Sequence, residues 1–337
     1  MDIDIILEPD VTPEQIAELG LQAERAGINR LWAQNYAQGR DAFLSLVPLA
    51  LASTRIKLGV MVVSPWEMHP LKMANALLTL NEFAGGRAAL CVGGGGEWNG
   101  VMAIPVEQRV RAVRETTELL TQACRDKTVS QYWGEMYKAT RFAAKWATDE
   151  PPLIYTGAGR EQMIRMSTTL ADGIVLSDAV PEIARDSMTF VRDELPRRAD
   201  SAGPLRVSNF WAWHVKEDRE AAFREARREL IIRSMLDKEH VGTFMRDEDC
   251  ELIQKNIKAF FAAYRDRSGD IQGVPERIVN ELIEGITSTG DLDDLDRHIE
   301  RLREFRAAGL DELALRLHDD PADAIRVIGD RVVPALR

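Results

Sequence analysis

The stretch Tyr155-Thr156-Gly157-Ala158-Gly159-Arg160 has the residue types to hold an oxyanion. It follows a short apolar run, Leu153 to Thr156, and opens a helical pattern running to Ala171. Free N–H groups at a helix N-terminus, glycines that let an anion approach, the Thr156 hydroxyl and the Arg160 guanidinium together predict a phosphate cradle. An ordinary tight turn between strand and helix uses the same glycines, and is the competing reading. A second stretch, Gly93 to Gly96, follows the apolar run Ala88 to Val92 and presents bare backbone that a flat ligand can approach. Glu97 stands at its lip as a candidate general acid, because a closing mouth would desolvate its carboxyl and raise its pKa. Asn99, two residues on, can hydrogen-bond a ring carbonyl. A third pair, Asn35 and Tyr36, ends another apolar run. Tyr36 can donate a hydrogen bond, but a phenol pKa near 10 makes it a poor proton shuttle at neutral pH, and a rim aromatic is an equal reading.

These groups share one placement: each lies where a strand-like run ends and a helical pattern begins. Eight such runs alternate with helical patterns: Ile3–Leu7, Arg30–Gln34, Arg55–Val63, Ala88–Val92, Leu153–Thr156, Gly173–Ser177, Leu205–Trp213 and Glu312–Leu317. The alternation predicts an α/β fold, a TIM (β/α)8 barrel of parallel strands, in preference to a doubly wound sheet. Thr12-Pro13 opens the first helix with a hydroxyl cap and a proline at the first helical position. A long helix is predicted over 105–125 and a charged one over 217–235. Residues 127–150 read as a β-excursion around Gly134, and about 236–290 as an insertion of helical character. The whole of 1–337 is expected to be a single domain. In a TIM barrel the chemistry sits at the C-terminal ends of the strands. That rule adds Glu8, Gln34, Ser64, Ser177, Asp178, Trp211, Trp213, His214 and His318 to the candidates. Trp211 and Trp213 alternate along one strand, so both face the same side, and a place inside the barrel or on a pocket wall is expected. His69 is expected to cap or pack the helix that begins at Pro70.

Composition bounds the rest. A formal charge of −11 spread along 337 residues argues against binding a nucleic-acid backbone. No apolar run approaches the roughly 20 residues a membrane helix needs, and MDIDIILEPD lacks the basic start of a signal peptide. Cys91, Cys124 and Cys250 have no metal-ligand spacing, and no carboxylate or histidine cluster points to a metal site. A soluble, cytoplasmic protein with reduced thiols is the expectation. No strained serine elbow and no nucleophile paired with a nearby base is present. What remains is a glycine-walled, aromatic mouth suited to a planar cofactor.

The same stretches carry a resemblance. Leu80-Asn81-Glu82-Phe83-Ala84-Gly85-Gly86-Arg87, followed by a glycine-rich strand end, resembles the signature of the bacterial luciferase-like superfamily. Gly39-Arg40-Asp41-Ala42-Phe43, Met163 and Ala171-Asp172-Gly173 also fit, and the likeness runs from Ile3 to about Arg316, apart from the insertion. Within the superfamily the chain looks most like the methylene-tetrahydromethanopterin reductase type. That resemblance implies a reductase or dehydrogenase moving a hydride between the deazaflavin coenzyme F420 and a small organic substrate. The cofactor's phosphate would lie on Thr156 to Arg160, and its ring against Asn35, Met61, Val62, Val63, Ser64, Gly95 and Gly96. Gly59-Val60-Met61-Val62-Val63-Ser64-Pro65 matches a family segment that has a bulge and a cis peptide, here expected at Met61–Val62. Glu97 matches a carboxylate that donates a proton in relatives. Asn35 and Tyr36 stand where the family has an acid and a histidine, so Tyr36 or Glu97 is left to handle the proton. An FMN-dependent monooxygenase fed by a separate flavin reductase is the alternative. A catalytically silent barrel binding a phosphorylated ligand is the third reading. The resemblance further implies a homodimer through the second and third helices.

Overall fold

The structure is a computed structural model that describes residues 1–233 and 236–337. Eight parallel strands close on themselves: β1 (Asp2–Leu7), β2 (Arg30–Gln34), β3 (Lys57–Val63), β4 (Ala88–Gly93), β9 (Leu153–Gly157), β10 (Gly173–Ser177), β11 (Arg206–Val215) and β13 (Glu312–Arg316). β13 pairs back onto β1, Asp2 against Glu312 through Ile6 against Arg316, which seals the barrel. These strands are apolar on both faces because each has the lumen on one side and a helix on the other. That is why they read as continuous runs.

Alternation along each strand sorts the side chains. Ile6, Trp32, Met61, Ala89, Cys91, Tyr155, Val175 and Ala314 fill the lumen as one cluster. Their neighbours Leu7, Leu31, Val60, Leu90, Val92, Ile154 and Leu315 face the helices and form the larger core. Burying Trp32 contributes on the order of 2–3 kcal/mol, and Gly59 makes room for it: a Cβ there would lie 2.0 Å from the indole ring. The N-terminal end of the lumen is closed by charge. Arg30 Nη1 donates to Asp4 at 2.7 Å and Glu312 at 3.1 Å, and its Nη2 donates to Tyr155 Oη at 3.0 Å. Trp32 Nε1 also donates to Asp4, at 3.0 Å. With that end plugged, the opposite end carries the mouth.

The excursion is a nested pair of short ladders, β5 (Thr128–Val129) with β8 (Phe142–Ala143) and β6 (Tyr132–Trp133) with β7 (Lys138–Ala139). Its turn is held by buried Glu115, which accepts from the N–H groups of Glu135, Met136 and Tyr137 at 3.0, 2.9 and 3.1 Å. The stretch 236–290 contains helices at Lys238–Val241, Asp247–Lys255, Ile257–Arg265 and Glu276–Ile286, which share an apolar cluster of their own with Leu230 and Ile231. It ends in a strand that the sequence reading missed: β12 (Thr287–Gly290) runs parallel to the end of β11, Ala212 to Val215. Four residues between two helices are too few to show an alternating pattern. The charged helix expected over 217–235 is observed as Arg219–Glu229, and its last two positions, Ser234 and Met235, lie outside the described residues. The helix expected to start at 105 begins at Arg109.

Trp211 and Trp213 do share a face, but it is the outer one. They belong to the helix-side core, with Trp211 donating to Ser288 Oγ at 3.0 Å and packing edge-on to Phe305. Phe210 takes the lumen side instead. Alternation fixes which residues go together, and the register against β13 decides which set faces inward.

Candidate functional site

The floor of the mouth is the end of β3. The Met61–Val62 peptide is cis, as expected, and the β3–β4 register slips between Met61 and Val63. Asn35 anchors this bulge from the neighbouring strand: its N–H donates to Met61 O at 2.8 Å, and Nδ2 to Val62 O at 3.2 Å and Glu67 Oε1 at 2.6 Å. Glu67 Oε1 also accepts from Ser64 N at 3.0 Å, and burial pushes the Glu67 carboxyl above its ordinary value. Ser64 Oγ bonds Asn99 Oδ1 at 2.9 Å, which leaves the buried Asn99 Nδ2 without a partner. Met61 points into the lumen, while Val63 turns into the helix-side core.

Beside the bulge the wall is bare backbone. Gly93 of β4 pairs with Gly157 of β9 on the lumen face. A Cβ on Gly93 would sit 2.2 Å from Val62 Cγ1, so the bulge lies directly on this glycine. Past the wall opens a cavity of about 630 Å³, lined by Gly94, Gly95, Arg109, Val110, Gly157 and Gly159 to Met163. A Cβ on Gly95 or Gly159 would meet nothing within 4 Å, so both border open space.

Two helices point their N-termini at this cavity, Glu161–Leu170 and Arg109–Arg125, and neither has a side-chain cap. Their first-turn N–H groups are left for a ligand, and the helix dipoles favour an anion there. The sequence reading found one of the two. The second was visible only as a missing cap, since Gln108 precedes Arg109 where Ser, Thr, Asp or Asn would be usual. Two expected contributors do not reach the cavity. Thr156 is fully buried on the helix side of β9, and does not line the cavity. The Ala158 N–H is taken by Val175 O at 3.0 Å. Arg160 does line the cavity, but its exposed guanidinium is paired with Asp237, at 2.7 Å, and with Glu239.

Glu97 and Tyr36 occupy the rim without meeting. Glu97 is exposed in the first turn after Gly96, and its Oε2 accepts from Ala37 N at 2.9 Å, tying the loop after β4 to the loop after β2. Gly96 borders Ser64: a Cβ on Gly96 would lie 3.8 Å from Ser64 Cβ. Tyr36 is half-buried under Arg316, whose guanidinium carbon lies 5.8 Å from its ring centre. Arg316 grips Glu8 through Nε and Nη2, at 2.6 and 3.0 Å. Burial alone would raise the Glu8 carboxyl, but the charges of Arg316 and His318 hold it well below the usual carboxylate range. His318 stacks on His214 with ring centres 4.8 Å apart, and His214 Nδ1 lies 2.7 Å from Glu225. Burial pushes His214 down to about 4. His69 caps the next helix, accepting from Leu71 N at 3.2 Å. Among the described residues no cluster of histidine, cysteine and carboxylate side chains forms a metal site, and no helix is long and apolar enough to cross a membrane.

The motif residues Asn81 and Arg87 do structural work. Asn81 Oδ1 accepts from Ala88 N at 3.0 Å and Nδ2 reaches Thr148 and Glu150, while Arg87 Nη2 donates to Ser53 O at 2.9 Å.

Comparison with known proteins agrees with this architecture. The chain is 26% identical over 345 residues to the 5,10-methylenetetrahydromethanopterin reductase of Archaeoglobus fulgidus, covering all of both chains. Its fold superposes on the coenzyme F420-dependent tetrahydromethanopterin reductase from Methanopyrus kandleri with a TM-score of 0.83 at 21% identity, covering 100% of this chain and 99% of the other. A monooxygenase from Streptomyces bottropensis follows at a TM-score of 0.70 and 17% identity, with both chains fully covered. The luciferase-like monooxygenase family profile matches residues 3–312, and the chain belongs to that family.

Proposed function

We propose that this protein is an oxidoreductase that uses coenzyme F420 to transfer a hydride to or from a small organic substrate. One observation carries the reading: a cavity faced by two uncapped helix N-termini adjoins a flat glycine wall and a bulged strand end. That combination fits a planar ring with an anionic tail. Full-length similarity to a 5,10-methylenetetrahydromethanopterin reductase supports the deazaflavin over other ring systems. When bound, F420 supplies the hydride-accepting or hydride-donating carbon. The protein's share is placement: the N–H groups of Gly159 to Gln162 and the Arg109 side chain hold the phosphate. Asn35, Val62 and Ser64 support the ring, and Gly93 to Gly96 let it lie close. Rigid strand ends keep the reacting atoms near contact. Glu97 and Tyr36 are the rim groups placed to move a proton. An FMN-dependent monooxygenase remains the second reading, since the same glycine wall and anion cavity would fit the FMN ring and phosphate.

Titrating the purified protein with F420 and with reduced FMN, followed by fluorescence, decides between them, and tight binding of FMN alone would overturn the proposal. Gly159→Asp tests the cradle. Its side chain enters open space, so folding should be unchanged while the added charge weakens F420 binding at least tenfold. Unchanged affinity would remove the phosphate from this cavity. We also propose a homodimer: Leu44, Leu51 and Phe83 are 70%, 67% and 44% exposed on the helices Ala42–Ser45, Val47–Ala52 and Pro70–Phe83. Light scattering that returned a monomer would refute it.

A further inference from the structure

Across the barrel from the β3 bulge, where β10, β11 and β13 end, several buried nitrogens have no partner among the described residues. Among the described residues, thirteen buried side-chain polar atoms lack a partner. Five of them fall on four side chains of this one region: Nε and Nη2 of Arg233, Nε2 of His214, Nε2 of His318 and Nδ1 of His240. Such groups are normally paired, so their clustering asks for a ligand more than for a chance defect.

Arg233 is the centre of the group. Its side chain is 1% exposed, and its guanidinium carbon lies 5.2 Å from the centre of the Phe210 ring, which Arg316 also covers at 5.5 Å. Its charge reaches His214, and Asp178, its ion-pair partner, acts in turn on His240. Of its five N–H bonds, Nη1 gives one to Asp178 Oδ1 at 3.1 Å. The three N–H bonds of the Nε/Nη2 edge meet no acceptor among the described residues. The same edge of Arg316, equally buried, is filled: Nε and Nη2 take the two oxygens of Glu8 at 2.6 and 3.0 Å. The molecule thus shows, on the neighbouring arginine, the group that fits this fork. A carboxylate satisfies both nitrogens at once, and in a desolvated site such a pair is strong and specific.

We propose that the Nε/Nη2 edge of Arg233 receives a carboxylate of the substrate, so that this enzyme acts on a carboxylic acid. The inference rests on the proposed function above and takes the substrate to enter the same mouth as the cofactor ring. The cofactor's own phosphate is placed separately, in the cavity beside β4 and β9. Arg233 is then a specificity-determining residue. A neutral substrate analogue leaves its edge unpaired, and discrimination against that analogue follows.

The test uses the full chain and calorimetric titration with acetate, benzoate and glutarate, each beside its neutral amide, with and without saturating F420. At least one carboxylate should bind at least tenfold tighter than its amide. Arg233→Gln should lose that preference. Arg233→Lys, which keeps the charge and loses the fork, should retain only part of it, and F420 affinity should be the same in all three proteins. Inorganic phosphate should compete with F420 and not with the carboxylate. Carboxylates no tighter than amides, or a preference that survives Arg233→Gln, would overturn the proposal, as would phosphate competing with the carboxylate and not with F420. Should both variants fail to fold, the comparison of acid with amide on the unaltered protein still decides. F420 binding without carboxylate preference ends this inference alone, and carboxylate preference without F420 binding ends the cofactor reading alone.

Discussion

Gly93→Ala tests whether the bulge is held in place by contact with the glycine wall. The added Cβ would lie 2.2 Å from Val62 Cγ1 and 3.5 Å from Val62 Cβ. Carbon atoms pack at about 3.5–4.0 Å, so something must move by more than an ångström. Gly93 is fixed by its register against Gly157, whereas Val62 sits in the register slip of β3, so the bulge gives way. Overpacking of this kind costs about 1–3 kcal/mol. If the ring binds only to the undisturbed bulge, that cost appears in affinity as a weakening of about 5- to 150-fold. Val62→Ala removes the clashing methyl, so the double variant should recover most of the loss, with a coupling of about 1–2 kcal/mol in the cycle. F420 fluorescence titration reads the affinity, and urea denaturation of the same four proteins reads the stability. Additive losses in the double variant would show that Gly93 acts through something other than Val62, and would refute the reasoning.

Three further outcomes follow from contacts away from the cofactor. Glu115→Gln keeps one acceptor oxygen where a carboxylate served three backbone N–H groups; it should cost about 2–3 kcal/mol and speed proteolysis within 127–150. Arg30→Met strands Asp4 and Glu312 as buried acids. It should cost about 3–5 kcal/mol in denaturant unfolding, while F420 affinity in the surviving folded fraction stays unchanged. His298 is pushed down from 6.5 to about 4, chiefly by burial and then by the charges of Arg297 and Arg301. Between those pH values the unfolded chain takes up a proton that the folded protein refuses. Stability therefore falls as pH drops through this window, by about 3 kcal/mol when fully developed. A His298→Gln variant should show a flatter stability–pH curve there, and an unchanged slope would show that this imidazole is not a source of acid lability.

How far the sequence could be read depended on whether a feature is local. The eight barrel strands, the capping of the first helix and the Gly93–Gly96 wall are written in short runs, and composition and spacing were enough to find them. The cis peptide at Met61–Val62 was reachable only through resemblance, because no pattern within Val60 to Ser64 requires it. Trp211 and Trp213 show the limit of periodicity: their shared face was legible, but whether it turned inward was set by pairing with β13, a hundred residues away. The same limit hid Arg109, Phe210, Arg233 and Arg316, whose roles exist only once distant strand ends are side by side. Arg160 was found in the right loop, but its pairing with Asp237 and Glu239 depends on a segment with no periodic tie to it. Thr156 lies one position off in the alternation, the smallest slip that sends a side chain to the other face.

The two ends of the barrel divide stability from chemistry. At the N-terminal end Asp4, Arg30, Tyr155 and Glu312 satisfy one another, with only Arg30 Nε left over. At the other end the unspent groups accumulate: Asn99 Nδ2 behind the bulge, two uncapped helix starts at the cavity, and the nitrogens of Arg233, His214, His318 and His240 opposite. Each is a cost to folding that a bound molecule can offset, and the two sets lie on opposite sides of one mouth. The motif residues Asn81 and Arg87 belong to neither set; they fasten a helix and a loop to the barrel wall. A likeness built on such residues therefore reports the scaffold, and much of the cofactor surface is backbone that many sequences could supply. Substrate choice, on the proposal above, falls to side chains such as Arg233, whose Nε/Nη2 edge is left over after its pairing with Asp178.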